Sequence, residues 1–204
     1  MFPIIPANKS SLTRRKLVYG VGFNDADYIV KPKINGKEFT CHFYDKWKGM
    51  LGRCYSIKSH QRRPNYVGCT VVEEWLTFSN FKEWMTDQYW ECKHLDKDIL
   101  TQGNKLYSPA TCIFVTPAIN NLLLDHGARR GEFPVGACFH KASGKFLSKC
   151  SVNGKTKHLG LFATPEEASA AYKLFKYELI AETAILQTEP LRSALLNYEL
   201  GVNE

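Results

Sequence analysis

The segment His94–Leu123, "HLDKDILTQGNKLYSPATCIFVTPAINNLL", gathers side chains that can hold a cation and move a proton. Read as a strand at its start, it alternates His94, Asp96 and Asp98 onto one face and Leu95, Lys97 and Ile99 onto the other. Carboxylate and amide oxygens suit a hard divalent cation, and an imidazole beside them can take a proton from water. The order is an acidic strand, a tight polar loop holding Asn104, a second strand, and a helix opened by Thr116 and Pro117. That helix carries Asn120 and Asn121, and His126 follows just past it. The whole has the outline of a metal-dependent site. A plainer reading stands beside it, in which the two aspartates are solvated acids flanking a turn and His94 is a structural strand residue.

The elements that must position this segment are legible in part. From Tyr44, apolar side chains recur at Trp47, Met50, Leu51, Cys54 and Tyr55, which predicts an amphipathic helix over 43–55. "SIKSHQRRPNY" reads as a basic loop and "VGCTVV" as a short strand. Phe78, Phe81 and Trp84 recur at three-residue steps, predicting a helix near 79–85 whose aromatics, with Trp75, form core rather than a stacking platform. Residues 1 to about 40 show little beyond the basic cluster Arg14, Arg15, Lys16 and a glycine-punctuated turn in "YGVGFND".

Past the connector "DHGARRGEFPVG" the chain changes character, and Arg129 and Arg130 in it, with Lys145, Lys155 and Lys157 beyond it, are candidate DNA contacts. From Val135 to Ala163 there is no acidic residue, while Lys141, Lys145, Lys149, Lys155 and Lys157 are all basic. Turns at Ser143-Gly144 and Asn153-Gly154 divide this stretch into three strands. A helix follows, with Thr164 as N-cap, Pro165 at its first position and Glu167 closing a capping box. Ala168, Ala171, Tyr172, Phe175 and Leu179 form its apolar face, and a last helix runs over about 190–200 with Leu191, Leu195 and Leu196 facing inward. Three antiparallel strands on one helix make a two-layer unit. Phe146, Ser148, Cys150 and Val152 face the helix; Leu147, Lys149 and Ser151 face outward, joined by Lys141, Thr156 and His158. A basic, acid-free sheet face of this kind can enter the major groove of duplex DNA.

The run "GACFHKASGKFLSKCSVNGKTKHLGLFATPEEASAAYKLFK" resembles the AP2 DNA-binding domain of plant transcription factors and mobile phage endonucleases. The resemblance spans about 45 residues and implies that the outer sheet face, with Lys141, Lys149, Ser151 and His158, contacts DNA. The arginines and tryptophans that the plant domains carry there are missing. Upstream, "WKGMLGRCY", "LDKDI", "YSPATC" and the later asparagine resemble phage proteins of the HNH homing endonuclease type. That resemblance implies a ββα-metal fold and phosphodiester hydrolysis at one Mg²⁺-like divalent cation. Asp96 and Asn120 then become the metal ligands, and Asn104 orients the hairpin. Lys97 stands where the family keeps its general-base histidine, and lysine is protonated at neutral pH. It would serve instead as a fixed charge on the scissile phosphate, leaving His94 as the substitute base.

The expected class is therefore α+β: an HNH-like ββα central domain over 41–130, after an N-terminal basic segment over 1–40. An AP2-like domain follows over 134–185 and a helix over 186–204. Hydrophobic residues at 44% and a net charge of +7 argue for a packed protein with a polyanionic partner. No run approaches the ~20 apolar residues of a membrane span, and the first residues lack the order of a secretory signal. The seven cysteines contain no C-x-x-C pair, which favours buried reduced thiols over zinc and points to a cytoplasmic setting. Two functions follow as expectations: a DNA endonuclease targeted by the basic sheet, or a nuclease relative that binds DNA without cutting it and acts as a regulator or host-interaction factor.

Overall fold

In the computed structural model, which describes residues 2–124, 132–152 and 154–200, the protein is a mixed α+β chain in two compact units. The first comprises 1–98 and 104–114; the second comprises 99–103 and 115–204. The expected connector lies mostly outside the described residues, as do Arg129, Arg130 and His126.

In the first unit, α1 (Lys9–Thr13) precedes a hairpin of β1 (Lys33–Ile34) and β2 (Lys37–Glu38). Its turn is Asn35-Gly36, both at positive φ (49° and 78°), the primed geometry that matches strand twist. Arg15 does not join a free basic cluster. Its guanidinium donates to the carbonyls of Asn24, Ala26 and Tyr28 at 2.8, 2.6 and 3.1 Å, pinning the irregular segment they belong to.

The expected amphipathic helix is α2 (His42–Tyr55), and it buries Trp47, Met50, Leu51 and Cys54. The stretch expected as a basic loop is instead α3 (Ile57–Arg62) and a 3-10 turn, Pro64–Tyr66. Ser56 caps α3 by accepting from the Ser59 amide, the local bond that starts so short a helix. β3 (Thr70–Val71) then leads to α4 (Phe78–Thr86), which presents Phe78, Phe81 and Met85 to the core beside Trp75. Aromatic pairs at 4.5–5.8 Å between centroids join Trp47, Trp75, Phe78, Phe81 and Trp84. The buried Trp47 indole donates to the Trp75 carbonyl at 2.7 Å, so its polar edge is satisfied. β4 (His94–Asp96) pairs with β6 (Ile113–Val115), while β5 (Leu106–Tyr107) runs parallel to β3.

The second unit contains α5 (Pro117–Leu123), capped by Thr116, and an antiparallel sheet in the order β7 (Ala137–His140), β8 (Lys145–Val152), β9 (Lys155–Phe162). Helix α6 (Pro165–Ile185) packs across all three strands. Its capping box is complete: Thr164 Oγ1 accepts from the Glu167 amide, and Glu167 Oε2 accepts from the Thr164 amide, both at 3.2 Å. The buried line of α6 is Ala168, Ser169, Lys176, Ile180 and Ala184. The expected face of Ala171, Tyr172, Phe175 and Leu179 is only half-buried beside it. Lys176 lies in the buried line instead, with its ammonium 5.9 Å from the centre of the Tyr172 ring. α7 (Leu191–Leu196) is shorter than expected; it buries Leu191 and Leu195 but leaves Leu196 exposed.

Candidate nucleic-acid interface and hydrolytic segment

Alternation along β8 sorts the sheet's faces. Ser148 and Cys150 are buried toward α6, whereas Lys149 and Ser151 are exposed. Cross-strand partners share a face, so the outer face reads in rows: His140 with Lys145, Cys138 with Leu147 and Leu161, Lys149 with His158, Ser151 with Thr156. Lys141 is exposed in the turn after β7. None of these lysines pairs with a described carboxylate. A register shift between Ser148 and Lys149 places a bulge in the middle of the sheet, a feature that bends and twists strands.

Two of the expected DNA-contacting lysines belong to the opposite face. Lys157 pairs with Cys150, and its ammonium sits 4.3 Å from the centre of the Phe175 ring of α6. Lys155 pairs with Val152, again on the helix side. Cross-strand register with Cys150 and Val152 carries both inward, whereas their odd numbering, counted straight on from Lys149, joins them wrongly to the outer face.

The segment from His94 to Leu123 divides between the units. His94 is exposed on β4 and Asp96 is half-buried; both lie in the first unit, while Asn120, half-buried on α5, lies in the second. Asp96 Oδ1 accepts from the Asp98 amide at 2.7 Å. Lys97 is only 4% exposed. Its ammonium donates to the Asp98 carboxylate and, at 2.6 Å, to the Asn104 carbonyl. Asn104 returns the bond: its Nδ2 donates to the carbonyls of Lys97 (2.9 Å) and Leu106 (2.7 Å), and its Oδ1 accepts from the Leu106 amide at 3.1 Å. Lys97 and Asn104 thus clasp the chain on either side of the loop 98–103.

Below the clasp lies Tyr107, buried, with Lys97 and Arg53 at 5.9 and 5.3 Å from its ring. Burial holds the Tyr107 hydroxyl protonated far above the ordinary phenol range, and that oxygen accepts from Arg53 Nε at 2.8 Å. Burial also pushes the thiols of Cys54 and Cys112 up to about 12.

This arrangement is structural chemistry. An ammonium that donates to a carboxylate and a carbonyl has no lone pair for water, and its burial keeps it from a phosphate. Neither role expected of Lys97 fits the geometry. Alternation had already placed it with Leu95 and Ile99 on the inward face, and that was the available signal. Asp98 is committed to Lys97, and among the described residues no three His, Cys, Asp or Glu side chains stand close enough to hold a metal ion. Of the ligands that the resemblance implies, Asp96 keeps Oδ1 on the Asp98 amide, and Asn120 lies in the second unit.

Compared with known proteins, the chain matches no family model, no curated protein and no solved structure. No helix among the described residues is long and apolar enough to cross a membrane.

Proposed function

We propose that this protein binds double-stranded DNA through the outer face of the β7–β8–β9 sheet. One observation carries the reading: Lys145, Lys149 and His158 stand exposed on one sheet face, in a stretch from 135 to 163 that contains no carboxylate. Lysines so placed reach phosphates without a competing internal partner, which supplies sequence-independent affinity. The test is a mobility-shift titration of a mixed-sequence duplex at low salt. The Lys145→Ala/Lys149→Ala double variant should bind at least tenfold more weakly, while Lys155→Ala, on the other face, should bind much as wild type does. Equal binding by the double variant refutes the proposal.

A second reading, DNA cleavage, is favoured by a different observation. His94 and Asp96 share one face of β4, and that strand pairs with the one leading into α5, a strand–strand–helix order. In that reading Asp96 and His94 are the reacting groups, with Lys97 and Asn104 holding the loop beside them. Incubating supercoiled plasmid with protein and Mg²⁺ or Mn²⁺ tests it. Nicking that Asp96→Ala abolishes supports cleavage; intact plasmid under both metals leaves binding as the whole function.

A further inference from the structure

We infer that the same sheet face reads the C5-methyl groups of pyrimidines, so that the duplex it prefers is rich in thymine or 5-methylcytosine. The inference rests on the DNA-binding reading above and goes further by naming what is recognised.

The register aligns Cys138 with Leu147, and Leu147 with Leu161, in one apolar row across all three strands of the outer face. Leu161 is 46% exposed, Cys138 is exposed and Leu147 is half-buried. A single exposed leucine is ordinary. A row of this kind flanked on both sides by cations is not. The row His140–Lys145 lies on one side, and the row Lys149–His158 on the other.

Dimensions fit a groove. Lys145 and Lys149 stand four residues apart along β8, about 14 Å, on the scale of a major groove about 12 Å wide; the apolar row crosses that line and runs along the groove for two interstrand spacings, about 10 Å. Each flanking lysine is two residues along β8 from Leu147, or about 7 Å. The lysines therefore stand where phosphate walls run while the row meets the base edges. Those edges offer donors, acceptors and one apolar feature, the C5-methyl group of thymine. Two leucine side chains cannot read donors or acceptors, but they can cover a methyl. The A-form groove of duplex RNA is too deep and narrow for such contact, which commits the surface to DNA.

The experiment compares two duplex pairs that differ only in that methyl: alternating dA-dT against dA-dU, and alternating dG-5-methyl-dC against dG-dC. At fixed salt the wild-type protein should bind the methylated member of each pair more tightly, by about fourfold for each methyl covered. Leu161→Ala, which leaves Leu147 alone in the row, should reduce the preference within each pair by about fourfold. Equal wild-type affinity within both pairs overturns the inference and leaves the DNA-binding reading intact. A preference undiminished in Leu161→Ala overturns it too, because the methyl would then act through duplex shape. Failure to bind any of the four duplexes overturns both readings. A concentration-dependent dimer that Leu161→Ala dissolves assigns the row to a second copy of the chain and overturns the inference.

Discussion

Lys97 shows how much one side chain can be misjudged from its type. A lysine between two aspartates reads as reagent or phosphate anchor, yet here it fastens a loop through the Asp98 carboxylate and the Asn104 carbonyl. Replacing it with methionine keeps the volume but strands both acceptors. Because Asp98 is half-exposed, the expected loss is about 2–3 kcal/mol rather than the larger cost of a fully buried pair, read as a lower urea midpoint at constant slope. Lys97→His should be destabilised similarly and gain no nuclease activity. The thiols give a second residue-scale prediction. Cys54 and Cys112 titrate near 12 in the folded chain, against about 8.5 in the unfolded one. Between those values the native state keeps protons that the unfolded state has lost, so stability is intact below about pH 8.5 and falls as pH rises toward 12. Melting temperature should drop steadily above pH 9. At pH 8 a thiol reagent should label only the exposed Cys92 and Cys138 rapidly.

At the scale of elements, the interface between sheet and α6 makes two opposite forecasts. Ser148 is fully buried and its hydroxyl finds no partner among the described residues. Ser148→Ala should therefore stabilise the protein by about 1 kcal/mol, since an orphaned hydroxyl costs more than the small void left behind. Gly136 sits at φ +82°, where a Cβ would lie 2.1 Å from Cγ of Tyr172. Gly136→Ala should cost about 3 kcal/mol or more through overpacking and backbone strain together. Gly144→Ala, also at positive φ but with nothing near it, should cost about 1 kcal/mol. Differential scanning of the three variants separates the cases.

The same scale shows which parts of the fold the sequence announced. Helices α2 and α4 were legible from their apolar spacing and α6 from its capping box, and the strand order of the sheet followed from Gly-bearing turns. The β1–β2 hairpin was equally written in Asn35-Gly36 but lacks hydrophobic strands to draw notice. α3 carries no apolar stripe at all, so periodicity could not reveal it. The sites were harder. Parity along β8 settles the outer lysines, whereas the inward turn of Lys157 depends on the register between β8 and β9, which pairs it with Cys150. The clasp of Lys97 and Asn104 joins backbone groups, to which composition is blind.

For the whole molecule, a net charge of +7 concentrated partly in one acid-free stretch makes ionic strength the governing variable. If about five or six phosphates are neutralised, the logarithm of affinity should fall against the logarithm of salt with a slope of about −4 to −6. Removing Lys145 and Lys149 should flatten that slope by about two. A flat salt response in the wild type would refute phosphate-driven binding whatever the groove contacts contribute.

The loop 99–103 belongs to the second unit although residues on both sides of it belong to the first, and within that unit Gln102 exchanges two hydrogen bonds with Glu199. The polypeptide consequently crosses the divide three times, at 98/99, 103/104 and 114/115. A gene cut in the glycine-rich stretch near 131 cannot release the basic sheet as a portable cassette, for it leaves the five-residue hook behind. Moving the sheet into another protein demands that both pieces travel together.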